Sequence, residues 1–325
     1  MRALIDDAWA PGARFDGYAL GGLVGEGAMG RVFRATQLET GRAVAIKTLR
    51  AEDLEDSGRI ARFLREGRAA TRIRSPHVVE ILEVGRREGA PYLVMELLEG
   101  ETLEARLREG GPMEVEAACE VLLAVCEGVE AAHRVGVIHR DLKPANVFLT
   151  RGVDGALAPK VVDFGISRLM DDQGDVLRTE SHALLGTPRY LSPEQTRGSR
   201  HASPRSDVYA LGAMLYECVT GRPAFPQTNL VALITRIARG ELDPPRTLRP
   251  TVPEALEAVI LRAMAVAPED RPPTAAALAE ALRPFAPPSR ALVVTASPPR
   301  HPWRVAAAVV VGVMVVLAAV ALAAR

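Results

Sequence analysis

Strand-like patterns, first an alternation of apolar and polar residues and then short apolar runs, extend through the chain from Tyr18 to Leu97. Apolar residues at helical spacing interrupt them once, at 57–74, and after Gly100 helical spacing predominates. The alternating stretches predict strands at 18–24, 31–36 and 43–49, and two apolar runs predict further strands at 78–84 and 92–97.

This change of period divides the chain into two lobes and predicts an α+β fold. A small lobe of strands with one helix is expected at 18–95, and a larger, mainly helical lobe at 101–285. The hinge between them is expected at 96–100. Residues 1–17 are interpreted as an N-terminal extension outside the small lobe.

The C-terminal end of the chain has a different composition. Residues 305–324 are an unbroken apolar run, and as a helix these 20 residues would span about 30 Å, the thickness of a bilayer core. They predict one transmembrane helix, with a buried globular helix as the alternative. The Pro-rich stretch 286–304 predicts an extended linker. Its arginines, at 290, 300 and 304, favour a cytoplasmic globular part on a single-pass cell-membrane protein.

Charge and cysteine content exclude some functions. The formal net charge of +0 argues against a nucleic-acid binder that works by neutralising phosphates. Cys119, Cys126 and Cys218 lack a CxxC spacing, so neither a disulfide framework nor a zinc site is predicted. These cysteines are interpreted as core residues.

A glycine-rich turn lies between the first two predicted strands. Gly25, Gly27, Gly30 and Val32 form the pattern G-x-G-x-x-G-x-V. Glycines allow a backbone to approach phosphate oxygens closely. A dinucleotide-binding loop would require a helix next, but 31–36 is predicted as a strand. A glycine turn without a ligand remains the other alternative.

Two charged residues follow at positions where they could help to bind phosphates at the glycine-rich turn. Lys47 ends an alternating strand, where a cation could neutralise phosphates. Glu66, on the predicted helix, is expected to pair with Lys47 and hold its ammonium in place. Each residue by itself would be interpreted as a solvated surface charge.

The segment 139–146, His-Arg-Asp-Leu-Lys-Pro-Ala-Asn, is the strongest chemical signal. It places the carboxylate of Asp141, two cations and the amide of Asn146 ahead of an apolar strand at 147–149. Asp163, Phe164 and Gly165 then follow a strand predicted at 160–162. The alternative is a solvated cluster of charges in a loop.

Taken in order, these motifs resemble the eukaryotic-type protein kinase family, in particular the bacterial membrane-anchored serine/threonine kinases. The resemblance covers roughly 18–285 and implies the two-lobed kinase fold. The positions that carry it are 25–32, Lys47, Glu66, 139–146, 163–165, 186–190, 192–194, Asp207 and Arg271.

The resemblance implies ATP and Mg²⁺ as cofactors, with Mn²⁺ as a substitute. Asp141 is expected to be the catalytic base and Lys143 to lie against the γ-phosphate, while Lys47 and Glu66 complete the catalytic set. Asn146 and Asp163 are expected to hold the metal. ATP-binding positions are expected at Gly25, Glu26, Gly27, Gly30, Val32, Ala45, Lys47, Met95, Glu96, Leu98, Asn146 and Asp163.

Within this set, Met95 would gate the pocket behind adenine, and the backbone of Glu96 and Leu98 would bind the adenine edge. Val32 and Ala45 would cover the ring, with Phe148 or Leu149 below it. Three further residues are expected to be structural: Glu194 and Arg271 as a buried ion pair, and Asp207 as an anchor of the catalytic-loop backbone. Ser192 departs from the family pattern, which usually has Ala there.

The function expected from the resemblance is transfer of the γ-phosphate of ATP to Ser and Thr hydroxyls of proteins. Thr179 and Ser181 are expected to be regulatory phosphosites that pair with Arg140, with ordinary loop hydroxyls as the alternative. Protein substrates, the membrane and a homodimer are the expected partners, and no nucleic acid. The rival functions are a catalytically silent pseudokinase scaffold and phosphorylation of a small molecule such as an aminoglycoside.

Overall fold

The computed structural model describes residues 9–27, 30–152, 157–164 and 188–286. Its small lobe is built on a six-stranded sheet in the order β1-β2-β3-β4-β6-β5, in which all neighbours are antiparallel. The predicted strands are confirmed to within a few residues. They are β1 (Arg14–Phe15), β2 (Tyr18–Gly27), β3 (Gly30–Gln37), β4 (Ala43–Thr48), β5 (Ile81–Arg87) and β6 (Ala90–Glu96).

Helix α1 (Ser57–Ala70) packs on one face of this sheet. It begins where the Asp56 side chain accepts hydrogen bonds from two backbone N–H groups of the first turn, at 2.8 and 3.1 Å. Gly67 lets the helix approach closely, because a Cβ there would lie 2.3 Å from Leu93 Cδ2 on β6. The helix predicted at 57–74 is confirmed at its start, but it ends four residues early, at Ala70.

The chain after α1 contacts the large lobe before it enters β5. Val78 forms an isolated bridge with Val161, and the Val79 N–H donates to the Val161 carbonyl at 3.0 Å. Because of these bonds, the backbone at Val78 and Val79 pairs with the large lobe and not with the six-stranded sheet. The strand predicted at 78–84 consequently begins only at Ile81.

The opposite face of the small sheet is covered by the N-terminal segment. Trp9 is only 3% exposed and stacks on Phe33 with ring centroids 6.0 Å apart. Phe15, on β1, contacts Tyr92 edge-on at 5.4 Å. The boundary predicted at residue 18 stays a prediction, but the aromatic side chains of Trp9 and Phe15 pack on the small sheet and help to bury its outer face.

The large lobe combines helices with a three-stranded antiparallel sheet, β7 (Gly100–Thr102), β8 (Val147–Arg151) and β9 (Leu157–Val161). Since β6 ends at Glu96 and β7 begins at Gly100, the connection is shorter than the predicted 96–100. The helix Pro204–Thr220 is buried on nearly all sides. The helices are α2 (Leu103–Gly110), α3 (Val115–Arg134), α4 (Pro204–Thr220), α5 (Leu230–Arg239), α6 (Pro245–Leu248), α7 (Glu254–Ala263) and α8 (Ala275–Leu282).

Within the described ranges, no helix is both long and apolar enough to cross a membrane. The transmembrane helix predicted at 305–324 lies outside those ranges, as does all of its linker except Ala286. Thr179, Ser181 and Gly165 also fall outside them.

Candidate active site

The segment 139–146 leaves α3 and turns before β8, and its backbone is anchored from α4. Asp207, 1% exposed, accepts hydrogen bonds from the N–H groups of His139 and Arg140, both at 2.8 Å. His133 at the end of α3 contacts the same carboxylate through Nε2 at 2.7 Å. The predicted anchoring role of Asp207 is confirmed.

The polar side chains of this loop converge on Asp141. Lys143 Nζ lies 2.8 Å from Asp141 Oδ2, and Asn146 Nδ2 donates to the Asp141 carbonyl at 2.8 Å. The Asp141 side chain is 27% exposed, so its carboxylate is oriented by neighbours and still open to solvent. The loop therefore presents a fixed carboxylate beside a cation, as its sequence predicted.

A second charged pair lies at the junction of the lobes. Lys47, on β4, is 3% exposed and its Nζ lies 2.6 Å from Asp163 Oδ1. Asp163 follows β9 with φ of 63°, a left-handed conformation that is uncommon outside glycine. Burial opposes ionisation of Asp163, but the charge and hydrogen bond of Lys47 outweigh it, so the pKa of Asp163 is lowered.

The predicted pairing of Lys47 with Glu66 is not what the structure shows. Glu66 is buried on the inner side of α1, at 9% exposure, but the carboxylate bonded to Lys47 is that of Asp163. The left-handed turn at Asp163 brings its carboxylate within hydrogen-bond distance of the Lys47 ammonium.

His139 connects the loop to the strand that precedes Asp163. Its Nε2 lies 3.0 Å from the Val162 carbonyl, and its ring packs on Phe164 with centroids 4.7 Å apart. Phe164 also lines a small pocket together with Lys47. That pocket is lined by Lys47, Ala70, Val78, Val79, Ile81, Leu93, Met95, Asp163 and Phe164.

The residues predicted to surround adenine form one apolar cluster. Ala45 and Met95 are buried together, and Val32 and Leu98 pack against them. The side chain of Glu96 accepts two hydrogen bonds at Oε1, from Lys160 Nζ at 2.6 Å and from the Glu80 N–H at 2.9 Å. On β8, Phe148 is half-buried, and Leu149 is buried in the core of the large lobe.

The three glycines of the turn between β2 and β3 differ in what they permit. Gly30 has φ of 123°, and a Cβ there would lie 2.0 Å from the Thr48 carbonyl, so only glycine fits. Gly25 and Gly27 have open space where a Cβ would be. Glu26 between them lies 3.9 Å from Arg50. Gly30 thus serves the sheet, while Gly25 and Gly27 leave room for a ligand.

A buried ion pair braces the large lobe as predicted. Arg271 donates Nη1 and Nη2 to the two oxygens of Glu194, both at 2.8 Å. Burial raises the pKa of Glu194, but hydrogen bonds from Arg271 and Ser206 outweigh that effect and lower it to about 2.

Other contacts of the site were not anticipated. His133 bonds Asp207, Lys160 bonds Glu96, and Gln195 bonds the Arg140 carbonyl at 2.8 Å. Ser192, the departure from the family pattern, bonds Gln195. These polar residues pair with residues that are distant in sequence. Such a pairing leaves no hydrophobic period in the sequence, so it could not be predicted from the spacing of residues.

Known proteins share both this fold and these motifs. The family model described as protein kinase domain matches residues 18–282. A probable serine/threonine-protein kinase of Corynebacterium efficiens is 42% identical over 274 residues, which cover 81% of this chain and 40% of that protein. The serine/threonine-protein kinase PknB of Mycobacterium tuberculosis is 39% identical over 265 residues, which cover 80% of this chain and 41% of PknB.

Among solved structures, the kinase domain of Mycobacterium tuberculosis PknI aligns with a TM-score of 0.67 at 26% identity, covering 85% of this chain and 99% of that one. The chain spans about two fifths of the length of the two curated relatives.

Proposed function

The chain belongs to the eukaryotic-type serine/threonine protein kinase family, and on that premise we propose that it phosphorylates Ser and Thr hydroxyls of proteins with ATP. One observation carries the proposal. Lys47 and Asp163 lie together at the lobe junction, and the loop beside them presents Asp141 with Lys143. Phosphoryl transfer requires such positioning and neutralisation of charge rather than covalent help.

ATP would enter between the lobes. The cluster of Val32, Ala45 and Met95 provides an apolar surface for adenine, and the segment from Glu96 to Leu98 provides backbone groups for its edge. Open space above Gly25 and Gly27 leaves room for phosphates. Lys47 would neutralise them from below.

The donor set next to Asp141 fits Mg²⁺, with Mn²⁺ as a substitute. Asp163 offers a carboxylate, and because Asn146 uses its amide nitrogen on the Asp141 carbonyl, its side-chain oxygen is left for a cation. Such hard ions prefer oxygen ligands. When bound, the metal would neutralise charge on the phosphates. We therefore assign Asn146 and Asp163 as its ligands.

The transfer itself would use Asp141. Its carboxylate accepts the hydrogen bond of the substrate hydroxyl and takes that proton as the hydroxyl oxygen bonds to the γ-phosphorus. The bond from that phosphorus to ADP breaks and ADP leaves. Lys143, 2.8 Å from Asp141 Oδ2, would hold the γ-phosphate oxygens on the line of attack.

Three further parts of the proposal rest on sequence. Residues 305–324 would anchor the protein in the cell membrane with the kinase domain in the cytoplasm, because they are apolar over the length of a bilayer core. Thr179 and Ser181 would be autophosphorylated. A homodimer would bring one loop to the active site of a second copy.

The experiment compares the full-length protein in detergent micelles with its Asp141→Asn variant, each incubated with ATP, Mg²⁺ and a mixture of proteins. Phosphosite mapping should find phosphate on Ser and Thr with the parent only, including Thr179 or Ser181. The protein should leave the membrane fraction only with detergent.

Two other outcomes would favour a rival. ATP binding without phosphate on any protein would indicate the pseudokinase scaffold, against which Lys47, Asp141 and Asp163 all argue. Phosphate on small alcohols rather than on protein would indicate a small-molecule kinase.

A further inference from the structure

The peptide bond between Arg140 and Asp141 is held at both edges. Its carbonyl oxygen accepts a hydrogen bond from Gln195 Nε2 at 2.8 Å, and its N–H donates to His139 Nδ1 at 3.3 Å. Arg140 has φ of 68°, which non-glycine residues keep only where their surroundings hold them. The backbone that carries Asp141 is therefore strained, and its neighbours retain it.

Gln195 is built to make this contact in one orientation. It begins the short 3-10 helix Gln195–Arg197 and is 5% exposed. Its Oε1 accepts from the N–H of Ser192 at 3.1 Å and from Ser192 Oγ at 2.9 Å, while Nε2 donates to the Arg140 carbonyl. If the amide were flipped, its NH2 group would face the Ser192 N–H and its oxygen would face the Arg140 carbonyl. The hydrogen-bond partners therefore fix the orientation of the amide.

The segment that carries Gln195 is itself fixed. The preceding residue, Glu194, forms the buried ion pair with Arg271, and the Gln195 N–H donates to the Ser192 carbonyl at 3.0 Å. Gln195 thus connects a rigid part of the large lobe to the residue before the candidate catalytic base.

From these contacts we propose that Gln195 is a positioning residue for phosphoryl transfer, acting through the Arg140 carbonyl to align Asp141. The proposal rests on the kinase function proposed above. Asp207 holds the N–H groups before this peptide, and Lys143 and Asn146 hold Asp141 itself. In the described ranges, Gln195 is the side chain that holds the carbonyl.

Loss of this bond should act on kcat rather than on KM. Without it the strained peptide can turn, which moves the Asp141 carboxylate relative to the substrate hydroxyl. A misplacement of about 1 Å can cost on the order of 100-fold in rate. The apolar cluster expected to bind adenine does not include Gln195, so ATP affinity should not change.

The test uses Gln195→Glu and Gln195→Leu in the full chain. The first keeps the acceptor for Ser192 and sets a carboxylate against the Arg140 carbonyl, and the second removes both groups. We expect kcat to fall about 10- to 100-fold in each, with KM for ATP within about twofold of the parent. Ser192→Ala, which leaves the Ser192 N–H bonded to Gln195, should lower kcat less than about threefold.

Tyr216→Phe is the matched control. It removes another hydrogen bond from a buried side chain to a carbonyl of the large lobe, that of Asp243 at 2.9 Å. Among the described residues, the Tyr216 hydroxyl makes no hydrogen bond to the catalytic loop. The melting temperature of Tyr216→Phe should fall about as much as that of Gln195→Leu, while its kcat stays within about twofold of the parent. Equal losses of kcat in both variants would overturn the positioning role.

Amide hydrogen exchange separates this inference from the kinase proposal, because it needs no activity. Exchange at Arg140 and Asp141 should be faster in both Gln195 variants and unchanged in Tyr216→Phe. If the parent transferred no phosphate but exchange changed in this way, the kinase function would fail and the contact would stand. Unchanged exchange, or kcat within twofold of an active parent, would refute the proposal for Gln195.

Discussion

Two buried ion pairs, one in the large lobe and one at the lobe junction, show how similar charges serve different purposes. Arg271 is 1% exposed, and each of its five N–H donors has an acceptor. The pair with Glu194 is therefore saturated and has nothing left to offer a ligand. The acceptors are both oxygens of Glu194 and the carbonyls of Arg205, Ala265 and Val266, at 2.7 to 3.0 Å.

Lys47 at the lobe junction is equally buried but unsaturated. Its ammonium has three donors, and the described residues supply one acceptor, Asp163. The Asp163 side chain is 25% exposed, against 14% for Glu194. A pair with spare donors and access to solvent can exchange partners, so this pair suits a ligand that arrives with phosphates. The saturated pair suits a brace.

Replacing Lys47 should give the largest effect and confine it to activity. Lys47→Met keeps an apolar stem but removes the cation, so kcat/KM should fall by at least about 10³-fold, or ~4 kcal/mol of transition-state stabilisation. Because solvent reaches Asp163, the free energy of unfolding should fall by less than about 2 kcal/mol. Phosphorylation kinetics and urea unfolding of the same preparation measure both.

Replacing Arg271 should give a smaller effect, and this effect should be on the stability of the protein rather than directly on its activity. Arg271→Met leaves the Glu194 carboxylate and three carbonyls without their donor, which should lower the free energy of unfolding by about 3 kcal/mol. Urea unfolding measures this loss directly. If Lys47→Met destabilised the protein as much as Arg271→Met does, the distinction between a ligand site and a brace would be wrong.

The resemblance to a family placed the brace correctly because each of its residues sits inside a motif. Glu194 follows Ser192 and Pro193, Asp207 lies in the first turn of α4, and Arg271 lies in the connection between α7 and α8. The positions of these three residues could be predicted because the motifs that contain them follow one another in the family's order along the chain. The same holds for the division into two lobes, since it follows from the change of hydrophobic period.

The sequence could not predict contacts that depend on how closely two elements approach. The Lys47–Asp163 bond joins residues 116 apart and competes with an equally plausible partner, Glu66. Trp9 precedes the first alternating strand, so no period connects it to Phe33. Gln195 resembles any polar residue after a turn until the Arg140 carbonyl is seen next to it.

The smallest expected effect is the pH dependence of stability that comes from the Glu194–Arg271 pair. Glu194 has its pKa lowered from 4.5 to about 2, where burial opposes the shift and the bonds from Arg271 and Ser206 outweigh it. A carboxyl whose folded pKa lies below its unfolded pKa contributes stability that is complete above the unfolded value and is lost as pH falls through the folded one. The window for Glu194 therefore runs from about pH 4.5 down to about pH 2.

Arg271→Met removes the part of this contribution that comes from Arg271, while the bond from Ser206 remains. The stability gap between parent and variant should therefore narrow by about 1–2 kcal/mol as pH falls from about 6 to 3, after allowing for solvent at the exposed edge of Glu194. Urea unfolding of both proteins across that range measures the gap. A gap that stayed constant would mean that Arg271 stabilises the lobe through its bonds to the three carbonyls, which do not titrate. The contrast with Lys47 would then rest on the number of donors used, and not on charge.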